Sequence, residues 1–281
     1  MIRLIGILVG LGFTSAVLWA FGVGAYTFAT EPAEETAEHA FHLHPKDVSF
    51  PSDGPFGKFD RRELQRGYQV YKEVCAACHG LHLVAFRDLE ALGYSEAQVK
   101  AAAAEWTVPG IDPNTGEATT RPGVPTDYFP SPYANDTAAR AANNNAIPPD
   151  LSLITKARHD GGAYLYSLLT GYSEMPAEMA AEFPEFSTPT GLYFNRYFPN
   201  LNLAMPPPLS EGQVTYADGT EATVEQMSKD VSAFLIWAAE PTLEKRLQTG
   251  WAVIGFLLFA TVLAWFAKQQ VWAPLKPKKK A

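Results

Sequence analysis

The chain has 281 residues, 47% of them hydrophobic and 19% charged, with 30 acidic against 22 basic side chains and a formal net charge of −8 at pH 7. That balance offers no basic footprint for a nucleic acid, so no such partner is expected. Two cysteines in the whole chain exclude a disulfide-stapled scaffold.

The first element is an uncharged stretch of 25 residues, Leu4 to Phe28, preceded by Arg3. It suits an uncleaved membrane anchor or a signal peptide. Its length exceeds a signal h-region and favours the anchor, while possible cleavage points after Ala25 and Ala29 leave the alternative open.

Asp60 then reads as an N-cap, with Glu63 three residues on to close a capping box, and Leu64, Tyr68, Tyr71, Cys75 and Cys78 follow at helical spacing. Tyr68 and Tyr71 are read as core packing. This face leads into Cys75-Ala76-Ala77-Cys78-His79, whose spacing joins two thiols to the vinyl groups of one haem and places an imidazole under the iron. The motif uses every thiol in the chain and so predicts one covalent haem c. A zinc site built from Cys75, Cys78, His79 and His82 is a poorer reading, because four ligands within eight residues of one helix cannot easily surround an ion. A redox dithiol belongs at the start of a helix within a βαβ unit, and no strand pattern flanks this one.

Further helices are predicted at Leu89 to Trp106, Ala163 to Thr170 and Val224 to Ala239. Proline and glycine recur from Pro109 to Pro149 and from Pro184 to Pro208, so much of the chain there is expected to be loop wrapped around the cofactor. Glu174, Glu178, Glu182 and Glu185 form the densest acid cluster, either a docking face or a solvated loop. Asp218-Gly219 between Tyr216 and Thr220 suggests a small hairpin. The helix from Val224 is the best specified: Thr223 and Gln226 make a capping box, and Val224, Met227, Val231, Phe234, Leu235 and Ala238 make an apolar stripe. Pro241 should kink or break the chain after it.

Leu247 to Ala267 is a run of 21 uncharged residues, long enough to cross a hydrocarbon core about 30 Å thick. Lys245 and Arg246 precede it, and Lys268, Lys276, Lys278, Lys279 and Lys280 follow, which predicts a cytoplasmic C-terminus. Trp251, Trp265 and Trp272 near its ends read as interfacial anchors. Residues 30–246, holding 16 of the 22 Lys and Arg and all 30 acids for a net of −14, would then face outward. That is the side on which c-type haems are attached, and such a field would speed encounter with a basic partner.

What lies opposite His79 decides the chemistry, since a strong sixth ligand favours electron transfer and an open site allows peroxide chemistry. Met205 is the strongest choice. It stands in Asn202-Leu203-Ala204-Met205-Pro206-Pro207-Pro208-Leu209, where prolines stiffen an apolar loop. Met175, among glutamates, is the runner-up, and Met227 is assigned to core packing. His82 is taken to share the helical path of His79, on the wrong side of the ring.

Several further segments carry a resemblance that extends over most of the chain: Arg66 to Tyr71 before the haem motif, Arg140 to Ser152, Ala157-Arg158-His159, Leu168 to Tyr172, Gly191 to Asn195, the Met205 loop, and Asp230 to Pro241. In that order they resemble the cytochrome c1 family, the haem subunits of the quinol:cytochrome c oxidoreductase (cytochrome bc1) complex of alphaproteobacteria and mitochondria. The resemblance implies a mainly α fold, a class I cytochrome c-like haem domain with long loops and a small β-hairpin, plus a C-terminal transmembrane helix and a possible N-terminal one. It implies iron ligation by His79 and Met205, with Asn143, Pro148, Pro149 and Tyr164 lining the pocket and Arg158 near a haem propionate.

The implied organisation is a hydrophobic segment over residues 1–29, a periplasmic haem domain over 30–246, a transmembrane helix over 247–268 and a basic cytoplasmic tail over 269–281. The implied role is an electron carrier in a bacterial inner membrane, with no bond chemistry of its own. It would take electrons from a Rieske iron-sulfur protein and pass them to a soluble or tethered cytochrome c, beside cytochrome b in a dimeric complex. Two departures stand out. Some bacterial relatives brace the methionine side with a disulfide, and here Ser173 and its surroundings offer no thiol, so packing must serve. The stretch Glu174 to Thr190 is also longer and more acidic than in mitochondrial members.

Overall fold

The computed structural model describes residues 2–31 and 36–275. The tail lysines Lys276, Lys278, Lys279 and Lys280 lie outside that range. Two compact units are present. One comprises residues up to His42 together with Pro176–Ser187, and the other Leu43–Met175 with the residues from Thr188 onward. In the first unit, α1 (Ile2–Thr30) is a single uninterrupted helix that buries none of its side chains. Helix α2 (Ala37–Phe41) is capped by Thr36, whose hydroxyl accepts from the His39 amide.

The second unit is organised on α3 (Arg61–Glu73). Its N-cap is Asp60 as expected, but the carboxylate accepts from the Arg62 amide at 2.9 Å, and Glu63 points into the protein at 6% exposure. The helix also stops at Glu73, and Cys75–Ala77 form a separate 3₁₀ turn. The predicted helix Leu89 to Trp106 is two pieces. A 3₁₀ turn over Phe86–Leu92 ends at Gly93 with φ 96°, and Ser95 and Gln98 form a capping box that starts α4 (Glu96–Ala104). The side chains of Phe86, Leu89, Leu92, Val99 and Ala103 are buried on both sides of the break, so the apolar pattern runs through it.

The small hairpin lies elsewhere than at Asp218-Gly219. Strands β1 (Thr107–Ile111) and β2 (Ala118–Pro122) pair antiparallel, with Thr107 opposite Pro122 and Ile111 opposite Ala118. At Tyr216 the turn forms, with the Gly219 amide donating to the Tyr216 carbonyl, but its flanks make no strand pair: they meet where the Gly212 amide donates to the Ala222 carbonyl at 2.9 Å, and otherwise bond to α3. Gln69 Nε2 donates to the Thr215 carbonyl at 3.0 Å, and Arg66 meets Asp218 while lying over the Tyr216 ring.

Short helices α5 (Asp136–Ala142), α6 (Ile154–Ala157) and α7 (Gly161–Leu169) follow. Part of the acidic stretch is also helical, as α8 (Ala177–Glu182) in the first unit. A two-residue ladder, β3 (Tyr193–Phe194) with β4 (Asn202–Leu203), precedes the Met205 loop. Helix α9 has the predicted bounds, Val224–Ala239, with the Thr223 hydroxyl accepting from the Gln226 amide. It is buried nearly all round, with Ser228, Asp230, Ser232, Ala233 and Trp237 inside as well as the expected stripe from Met227 to Ala238; Val224, at its start, is only half-buried.

Helices α3 and α9 cross at Gly67. A Cβ there would fall inside the carbonyl of Asp230 and only 2.7 Å from the Phe234 Cβ, so only glycine permits this approach. Beside the crossing, Arg66 Nε and Nη2 hold the two carboxylate oxygens of the fully buried Asp230 at 2.9 Å each. Such a fork compensates the desolvation of both charges. Leu64, Tyr68 and Tyr71 pack here with Phe129, Met227, Val231 and Phe234, which confirms the core reading of both tyrosines and of Met227.

The chain breaks at Pro241 as expected, and α10 (Leu243–Trp272) follows. Helices α1 and α10 are the two among the described residues that are long and apolar enough to cross a membrane.

Glu63 gives a pH-dependent prediction. Burial first, then the neighbouring Asp230 and Asp60 charges, push its carboxyl up to about 7, against Lys229 and Arg66. Between pH 4.5 and 7 the unfolded chain ionises this group while the folded chain keeps its proton, so stability falls as pH rises through that window. The contribution is on the order of 2–3 kcal/mol. Glu63→Gln should therefore melt above the parent chain at pH 8, by roughly 5–10 °C, with the difference closing by pH 5. A difference independent of pH in parallel melts would refute this.

Candidate functional site

The motif residues sit where α3 ends. After Glu73 the chain tightens, and the amides of Cys78 and His79 both donate to the Cys75 carbonyl, at 3.1 and 2.9 Å. This places the two free thiols one tight turn apart, both half-buried. Burial pushes the Cys75 thiol up to about 12, with Cys78 adding to it. The position beyond a helix C-terminus, where carbonyl dipoles disfavour a thiolate, is unsuited to a redox dithiol. Zinc fares no better: among the described residues no three His, Cys, Asp or Glu side chains converge on a metal position.

His79 is held by its ring. Nδ1 lies 2.8 Å from the Pro149 carbonyl oxygen. A carbonyl can only accept, so Nδ1 carries the proton and Nε2 keeps its lone pair. Burial pulls the imidazole below its ordinary value, against the Pro149 carbonyl and Asp150. Tyr71 fixes the same residue from the core side, its hydroxyl donating to the His79 carbonyl at 3.3 Å.

His82 is not on a helical path with His79, because the chain leaves helical geometry after the motif. It is held instead by Asp150, which accepts from the His82 amide at 2.9 Å and lies 3.1 Å from its Nδ1. The Leu151 amide donates to the Gly80 carbonyl, and the Leu83 amide to Ser152 Oγ. The Pro149 to Ser152 segment is thereby stitched alongside residues 80–83. That stitching delivers the Pro149 carbonyl to His79.

Asn143 caps α5, its Nδ2 donating to the Ala139 carbonyl at 2.7 Å. Two left-handed residues follow, Asn144 at φ 50° and Asn145 at φ 65°, turning the chain into the extended run through Pro148 and Pro149. The Tyr133 hydroxyl reaches both Asn143 and the Cys78 thiol, so one end of the predicted lining set does meet the motif. Tyr133 is a neighbour of the motif that sequence reasoning missed; no local signal marks it.

A second group lies around α7. Burial pushes the Tyr164 phenol up, against the Arg158 guanidinium beside it. Arg158 is exposed and makes no ion pair with a carboxylate among the described residues. Tyr172 neighbours Tyr164 and Tyr193, and its hydroxyl donates to the Met205 carbonyl at 3.1 Å. Tyr193 pairs with Leu203, and the Gly191 carbonyl accepts from Asn144 Nδ2 at 3.1 Å, which ties this group to the Asn143 segment. Met175 and Met205 are both half-buried.

These residues fit a c-type haem: two adjacent thiols, a neutral imidazole with a free Nε2, and a guanidinium without an acid partner. The decisive comparison is with a family model described as the Cytochrome C1 family, which matches residues 50–275. The chain belongs to the cytochrome c1 family. It is similar to cytochrome c1 of Rhodospirillum rubrum, 44% identical over 272 residues, covering 94% of this chain and 99% of that protein. It is likewise similar to the protein named cytochrome b/c1 of Bradyrhizobium diazoefficiens, 50% identical over 235 residues, or 78% of this chain. The match spans about a third of that longer protein, 34%. The mitochondrial cytochrome b-c1 complex catalytic subunit of Candida albicans is 43% identical over 250 residues, 89% of this chain and 84% of that one. As in the cytochrome c1 fold expected from the sequence, the structure is mainly helical with short strands.

Hydrogen bonds hold the segment leading to Met205. Packing alone does not brace the Met205 side. Asn195 is fully buried, donates to the Leu168 carbonyl at 2.8 Å, accepts from the Tyr197 amide at 3.0 Å and bridges to Tyr172. Its amide donates to the Leu201 carbonyl. Tyr172 completes the brace at Met205.

Proposed function

We propose that this chain is the one-haem electron-transfer subunit of a cytochrome bc1 complex, with no bond chemistry of its own. The observation that carries the reading is the Pro149 carbonyl on His79 Nδ1, which aims a neutral imidazole nitrogen from a Cys-x-x-Cys-His turn. Cys75 and Cys78 would hold haem c by thioethers, His79 Nε2 and Met205 would be its axial ligands, and Asn143, Pro148, Pro149 and Tyr164 would line it. Bound haem supplies a one-electron iron couple. Arg158 offers a propionate the two parallel hydrogen bonds of a guanidinium. Tyr71, Phe129 and Phe234 close the core behind the motif and exclude water from it.

The electron donor is a Rieske iron-sulfur protein, and the acceptor is a soluble or tethered cytochrome c, which the net charge of −14 carried by the 16 basic and 30 acidic residues of 30–246 would attract. Residues 247–268 anchor the chain beside cytochrome b in a dimeric complex, with the haem domain of residues 30–246 periplasmic and the tail of 269–281 in the cytoplasm of a bacterium. Residues 1–29 form the N-terminal hydrophobic segment.

A redox titration of the complex isolated in mild detergent, with its subunits identified, tests this. Cytochrome b and a Rieske protein should co-purify with a single c-type transition, and the reduced chain should resist carbon monoxide. Oxidase subunits in their place, or ready carbon monoxide binding, would overturn it.

A further inference from the structure

The loop from Phe50 to Phe59 carries an aromatic side chain that the electron-transfer role does not use. Phe56 is 75% exposed, yet the loop presenting it is tightly built. The Phe50 amide donates to Asp53 Oδ2 at 2.7 Å, and the Lys58 amide to the Pro51 carbonyl at 2.8 Å. Gly54 sits at φ 76°, and Gly57 has no room for a Cβ against the Ser52 and Asp53 carbonyls. The loop is also fastened to the head of α10. The Phe59 amide donates to Glu244 Oε1 at 2.8 Å, Trp251 Nε1 donates to the Pro55 carbonyl at 3.1 Å, and the Phe56 ring stacks on Trp251 at 5.1 Å and 10°.

The position of this pair along α10 identifies what covers it. Arg246, ion-paired with Glu240, is the last charged residue before the apolar run. Trp251 lies five residues further on, about 7–8 Å along the axis. Beyond it Ile254, Leu257 and Leu258 are all exposed. With α10 spanning a bilayer from just beyond Arg246, the stacked rings would sit at the depth, roughly 5–10 Å, at which interfacial aromatic groups enter the headgroup and acyl boundary. The protein already satisfies the indole N–H of Trp251, leaving apolar faces outward. Lys58, exposed at the rim and without an ion pair among the described residues, can reach up to phosphate.

We propose that the Phe50–Phe59 loop is a further membrane contact, a wedge that inserts Phe56 into the bilayer interface beside α10. Burying one phenylalanine is too little to anchor the chain and enough to bias the tilt of the domain. The inference rests on α10 spanning the membrane.

Nitroxide labels test it on the full complex in phospholipid nanodiscs. They would be placed by Phe56→Cys, by Thr119→Cys in the exposed hairpin and by Leu258→Cys in α10, the two native thiols being consumed by haem. Position 56 should collide several-fold more with oxygen than with a nickel chelate when referred to Thr119, at a depth shallower than Leu258. A water-like reading at 56, or shielding from both reagents by a neighbouring subunit, would overturn the proposal. A water-like reading at Leu258 would reject the span itself, and the wedge with it.

Discussion

Gly67→Ala should lower the melting temperature of the protein by roughly 6–12 °C and reduce the yield of chain with covalent haem. The two effects of the substitution oppose each other. Alanine gains about 1 kcal/mol over glycine in a helix interior, but the new Cβ would fall within the Asp230 carbonyl and 2.7 Å from the Phe234 Cβ. Backbone cannot yield as a side-chain tip can, so α3 and α9 must separate. Separation loosens the Arg66 fork on a fully buried Asp230, and breaking such a pair costs about 3–5 kcal/mol. A net loss of about 3 kcal/mol in a domain of this size corresponds to the stated shift. Haem yield is affected because the turn bearing Cys75 and Cys78 begins two residues after α3 ends, with only Val74 between. Thermal melts and a haem stain of equal chain amounts check both. An unchanged melt would mean that the crossing is looser than it stands here.

Where local chemistry and tertiary demand agreed, the sequence was readable. Thr223, Pro241 and the stripe between them defined α9 to the residue, because cap, period and breaker all act within a few positions. Gly93 and Ser95 were equally local signals, yet buried side chains on both sides of them disguised two helices as one. At Asp218-Gly219 the turn chemistry was right and the strands were not. Gln69 of α3 takes the Thr215 carbonyl that a ladder would use and Arg66 holds the Asp218 carboxylate, and no count of β-prone residues contains that information. The finger of β1 and β2 was hidden for the opposite reason: every β2 residue is exposed, so no apolar alternation marks it. At the site, the motif and its neighbours were legible as a pattern, but Tyr133 and the Asn195 brace depend on chain segments brought together only by folding.

Met205→Leu should keep covalent haem and the fold while lowering the reduction potential by an amount on the order of 0.1 V or more, within the range of about 0.8 V that axial ligands command. The substitution conserves volume and apolar character, so its cost to stability should stay below about 1.5 kcal/mol; what it removes is the thioether. Carbon monoxide should then bind the reduced chain readily. Tyr172→Phe separates the ligand from its support. It leaves Met205 in place and removes the hydroxyl that donates to the Met205 carbonyl at 3.1 Å. One hydrogen bond of about 1 kcal/mol changes an equilibrium about fivefold, so the potential should move little while displacement of the methionine by an added ligand becomes several-fold easier. Should Met205→Leu leave potential and carbon monoxide resistance unchanged while Met175→Leu alters both, the sulfur would come from Met175, and the Tyr172 and Asn195 brace would serve the fold alone.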